Sequence, residues 1–174
     1  MKFTVTALAI ALLAHCGPAR PASKAKDSGQ VPASRKAQIL YRNTDYGFCL
    51  WLPKSWDGYS IVLQTWKGSD NSRIGEKTVV QGPLIAIRNP RWTAEDPHQD
   101  IPVMVFTHAQ WQLVRRETLA VSAAPFPPSE LGQNAKYVFG LPPRYNYAFP
   151  TGYKEVEDSL KEGAFHAHCP AEKE

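Results

Sequence analysis

Residues 46–67, YGFCLWLPKSWDGYSIVLQTWK, decide the fold. In the first seven, Phe48, Leu50 and Leu52 point one way and Cys49 and Trp51 the other, as the two-residue period of a strand requires. Both faces carry apolar side chains, so this strand is expected to be central and covered on each side. Turn formers follow at Pro53, Asp57 and Gly58. The apolar run then resumes, and residues 59–67 are expected to return as the hairpin partner of 46–52.

Outward from there the chain alternates short runs of β-formers with turn residues. A weaker strand is expected at 38–43 and a polar loop at 68–77. Strands at 84–89 and 101–107 are separated by the irregular stretch PRWTAEDPHQD, residues 90–100. Thr107 with Gln110 three residues on is a capping-box signature, opening a helix to about residue 117. Further strands at 119–123 and 136–141 are divided by prolines at 125, 127 and 128, a rigid connection. The last helix has Thr151 as its expected cap and Gly163 as its stop. Tyr153, Val156 and Leu160 share its inner face, with Lys154, Glu155, Glu157, Asp158 and Lys161 outward. Many consecutive strands with one helix inserted and one near the end predict an α+β fold: a mainly antiparallel sheet of about six or seven strands with two helices packed on it.

The chain has 174 residues and a formal net charge of +4. That positive charge sits at the start: beyond residue 37, fourteen basic residues face fifteen acidic ones. A phosphate-binding surface needs clustered Lys and Arg, so nucleic acid is not an expected partner. Residues 1–16, MKFTVTALAIALLAHC, pair a basic start with a short apolar run and read as an export signal, too short to span a bilayer. Residues 13–16, LAHC, resemble the lipobox of bacterial lipoproteins, which implies lipidation at Cys16 and a membrane anchor. His15 departs from that pattern, and cleavage after Ala19 or just after Cys16 is the alternative. Either way the expected location is outside the cytoplasm, periplasmic or membrane-anchored. Residues 17–37 are rich in Ala, Pro, Ser and Lys and read as a flexible tether. Residues 38–169 form the expected single domain, with a tail at 170–174. In an oxidising compartment Cys49 and Cys169 are the expected disulfide pair, against a buried Cys49 beside a free tail thiol.

The motif Tyr46-Gly47-Phe48 followed by Leu52-Pro53-Lys54-Ser55-Trp56 resembles the opening of PsbP-like domains. That resemblance implies a twisted antiparallel sheet with packed helices, and an accessory or binding role rather than catalysis. Residues 99–107 (QDIPVMVFT), 123–132 (AAPFPPSELG) and 141–153 (LPPRYNYAFPTGY) look more like an uncharacterised exported bacterial domain, which implies no activity. No functional residue carries over from either.

Candidate chemistry is sparse. Gly-x-Ser-x-Gly and His-Glu-x-x-His are absent from the sequence. Asp96, His98 and Asp100 alternate in one loop and could offer N and O ligands to a divalent metal; a solvated turn is the plainer reading. His166 and His168 share one side of an extended tail, beside Cys169. Tyr145, Tyr147 and Phe149 alternate with small or polar residues and, with Trp92 and Trp56 in expected turns, could form a platform for a sugar or peptide. The competing expectation is a lid sealing the core. The function expected from sequence is a non-catalytic binding or accessory domain that takes no cofactor. Its partner would be an envelope protein, peptide or glycan. The alternative is an envelope metalloprotein or enzyme using Asp96, His98 and Asp100 or the His166/His168 pair.

Overall fold

The element order is β1 (Gln38–Asn43), β2 (Phe48–Pro53), β3 (Ser60–Asp70), β4 (Thr78–Arg88), β5 (Ile101–Thr107), α1 (His108–Arg115), β6 (Leu119–Ala120), β7 (Ser129–Gln133), β8 (Tyr137–Leu141), α2 (Tyr153–Lys161) and β9 (Phe165–His166). The computed structural model describes residues 38–70, 78–121, 124, 126–143 and 149–170, all within one unit of the chain. The fold is α+β, as expected, but the strands number nine among the described residues rather than six or seven.

They form two antiparallel sheets. The smaller has the order β1-β2-β9, the larger β6-β3-β4-β5-β8-β7. β2 is central in the smaller sheet, as its two apolar faces require, and Phe48, Cys49, Leu50 and Leu52 are fully buried. Each such Leu or Phe contributes about 1.5–3 kcal/mol through burial. The expected hairpin between residues 46–52 and 59–67 is not formed. A 3-10 turn at Lys54–Trp56 buries Trp56 and turns the chain out of the small sheet, so β3 enters the large one and pairs with β4 over eleven residues.

The large sheet is covered on both faces. On one, Ile85, Ile87, Val103, Val105 and Phe139 meet Phe48, Leu50 and Leu52 of the small sheet, with Val156 of α2. On the other, Trp66, Met104, Phe106 and Val138 pack under Trp111 and Val114 of α1. The capping box of α1 forms as expected: Gln110 N donates to Thr107 Oγ1 at 3.2 Å, and Thr107 N donates to Gln110 Oε1 at 2.9 Å. Close approach on this face depends on Gly82, where an added Cβ would stand 2.5 Å from the Trp66 ring. Trp66 Nε1 donates to the Val105 carbonyl at 2.9 Å, satisfying its one polar atom in the core.

The cap of α2 departs from expectation. Gly152, not Thr151, precedes the helix, with φ 82° and no side-chain cap. The Thr151 hydroxyl donates instead to Asp96 Oδ1 at 3.2 Å. Gly163, also left-handed at φ 83°, follows the helix as expected.

Candidate ligand-binding cleft

The ladder between β5 and β8 ends at Met104↔Gly140. Continuing that register would set Pro102 against Pro142. Neither has an N–H to donate, so the ladder cannot continue through them. The sheet therefore parts at this end, and α2 lies across the opening. The result is a cleft of about 540 Å³. Pro102, Leu141, Pro142, Pro143, Val156 and Leu160 supply apolar wall, and Gln99 and Ser129 add polar groups at the rim.

The wall that α2 gives the cleft carries polar and charged groups along its length. Tyr153, Glu157 and Lys161 stand one helical turn apart on α2 and all line the cleft. The Tyr153 hydroxyl donates to Glu157 Oε1 at 2.9 Å, and Lys161 Nζ lies 3.1 Å from the same oxygen. The hydrogen bond from Lys161, then that from Tyr153, holds the Glu157 carboxyl below its ordinary range. Glu157 and Lys161 were expected on a solvated outer face; Lys161 is exposed and Glu157 partly so, and both also line the cleft.

The position of α2 is set from both ends. At its start, Gln99 N donates to the Thr151 carbonyl at 2.8 Å, Arg91 pairs with Glu155 at 3.3 Å, and the Ser55 hydroxyl donates to Glu155. Beyond its end, Trp51 N donates to the Ala164 carbonyl at 2.9 Å, and β9 joins β2. There the Cys169 thiol comes within hydrogen-bond reach of the Cys49 thiol. Burial, then the hydrogen bond with Cys169, pushes the Cys49 thiol up to about 12.

The aromatic and metal expectations fare differently. Trp56 is buried and cannot join a platform. Trp92 is half-buried under the Arg88 guanidinium, 4.0 Å above its ring. Phe149 is exposed and packs on Tyr153, ring centres 4.8 Å apart. Tyr145 and Tyr147 lie outside the described residues, as do Cys16, the export signal and the tether. Asp96, His98 and Asp100 do not converge on one point. His98 is buried with Nε2 3.4 Å from Asp96, whereas Asp100 accepts from Arg88 at 3.2 Å and from Asn89 N. His98 Nδ1, without a hydrogen bond among the described residues, lies 3.6 Å from where a Cβ on Gly152 would stand. His166 sits in β9 opposite Cys49, and His168 is exposed. Among the described residues no three His, Cys, Asp or Glu side chains gather as a metal site, and no helix is long and apolar enough to cross a membrane.

Sequence reasoning missed the cleft, although its signal was present. Pro102 inside an apolar strand and Pro142-Pro143 at the end of another mark the place where a central ladder must stop. Comparison with protein-family models, curated proteins and solved structures gives no match to this chain. The likeness to PsbP-like domains therefore rests on the motif at residues 46–56 alone.

Proposed function

We propose that this protein is an exported, non-catalytic binding domain whose α2 cleft holds a small molecule with an apolar body and one polar end. The cleft itself carries the proposal: about 540 Å³, walled by proline and aliphatic side chains, with the linked polar groups of Tyr153, Glu157 and Lys161 along its α2 side. Small-molecule sites combine those two properties, an apolar wall and few placed polar groups. Residues 1–16 carry the chain out of the cytoplasm, and residues 17–37 tether the domain, to a membrane if Cys16 is lipidated. Outside the cytoplasm Cys49 and Cys169 oxidise to a disulfide and fasten the segment that follows α2.

Native mass spectrometry of the mature protein purified from envelopes tests this reading. The expected result is a mature chain lacking its leader, carrying a small apolar molecule that the cleft-filling variant Ser129→Trp loses. A wild-type chain that carries no ligand, or a Ser129→Trp chain that carries the same one, would contradict it. A chain retaining Met1 would contradict export.

A further inference from the structure

The two edges of the large sheet are built differently. β7, at one edge, is five residues long, with a register shift between Glu130 and Gly132 and a charge at Glu130. Bulges and charges of this kind prevent another strand from adding. β3, near the other edge, runs eleven residues against β4 with no register shift and contains no proline. β6 pairs with it at Ser69 and Asp70, and Ala120 and Val121 also stand against Gly68. Among the described residues nothing pairs with the outer side of 60–67.

The side chains along this edge match the open backbone. Ile61 lies opposite Ile87, and Leu63 opposite Ile85, so all four share the face that the small sheet covers farther in. Coverage stops before β3. Leu63 is 76% exposed and Ile61 38% exposed on the face that elsewhere forms core. An apolar pair beside an unpaired strand edge is the usual ground for strand addition.

We infer that β3 is a self-association edge, pairing antiparallel with β3 of a second copy of this chain about a twofold axis. A twofold interface needs a patch complementary to itself, and this one is. With Leu63 on the axis, Leu63 faces Leu63 of the second copy, and Ile61 faces its Thr65 on the same side. Lys67, the only charge between residues 60 and 69, falls opposite Tyr59, so the two lysines sit at opposite ends and no like charges oppose. A second copy suits this edge better than an extended peptide, because Leu63 projects into solvent and does not wall a pocket for alternate side chains. Pairing would make one continuous sheet from two copies. It leaves the α2 cleft, beyond β5 and β8, open.

Sedimentation velocity of the mature protein across a concentration series tests the inference. A concentration-dependent dimer is expected. Leu63→Lys should raise its dissociation constant about tenfold or more, by placing like charges face to face. Val79→Lys, an equal change at a site 71% exposed on the same face but away from the edge, should leave it unaltered. Leu63→Cys should oxidise to an interchain link that peptide mapping assigns to residue 63 in both copies. A monomer at every concentration would overturn the inference, as would a dimer indifferent to Leu63→Lys. So would a monomer that uses this edge to bind an extended peptide in a Leu63→Lys-sensitive way.

Discussion

α1 and α2 lie on opposite faces of one sheet and are held by opposite means. α1 is fixed by packing: Trp66, Phe106 and Trp111 pack in sequence as tilted rings with centres 4.6 and 5.2 Å apart, and Gly82 lets the first ring close on the sheet. A capping box closes the helix start. α2 has one fully buried side chain, Val156, and no side-chain cap. It is held by latches before and after it, while its middle spans a cleft. Glycine on one face admits a ring, and proline on the other ends a ladder. The helix fixed by packing borders only a small hollow of about 150 Å³ at Val114; the helix fixed at its ends borders the larger cleft.

The comparison can be broken from either side. The largest effect should come from the latch beyond α2. Oxidising Cys49 to Cys169 closes a loop of ~120 residues, which the chain-entropy account values at about 4–5 kcal/mol, less any strain. Denaturant titrations with and without reductant should therefore differ widely in midpoint. The reduced form should also be pH-sensitive. A thiol whose folded value is raised keeps its proton longer in the native state, so stability holds below the ordinary value near 9 and falls as pH climbs toward about 12. The oxidised form has no such thiol and should not show that loss.

Trp66→Ala should cost about 3–5 kcal/mol by urea denaturation, through the cavity and the Val105 carbonyl left without its donor. Leu160→Ala, half-buried at the cleft wall, should cost only about 1–2 kcal/mol. Equal costs would erase the distinction between a packed helix and a latched one. Thr107→Ala removes the α1 cap and should lower stability by about 1 kcal/mol. Thr151→Val should cost least, at most about 0.5–1 kcal/mol, because its bond to Asp96 is exposed. Its effect should appear instead as weaker ligand binding, since it loosens the start of α2.

These contrasts also mark what the sequence made legible. β1 and β5 lie within the expected bounds, because short runs of β-formers end there at turn residues. The α1 cap was readable from Thr107 and Gln110 alone, since capping is a contact three residues long. The corner at Lys54–Trp56 was not. Pro, Asp and Gly mark a reversal, but whether the next strand returns to the same sheet or crosses to another is decided by where Trp56 is buried, a long-range matter. β7 and β9 escaped notice for a related reason. SELGQ has almost no β-formers, and Phe165–His166 is two residues long; both are strands because neighbours supply their hydrogen bonds. The cleft was half-legible: three prolines announced an interrupted ladder, but only the path of α2 shows what the interruption leaves open.

The account turns on ligand entering beneath α2. The most direct test is an amide NMR titration of the mature, oxidised protein with anilinonaphthalene sulfonate, which has an apolar body and one charged end. Shift changes should gather at Gln99, Ser129, Leu141, Val156, Leu160 and Lys161 and leave Trp66, Phe106 and Trp111 unmoved. Changes centred on the α1 face, or none under α2 at saturating probe, would contradict the account.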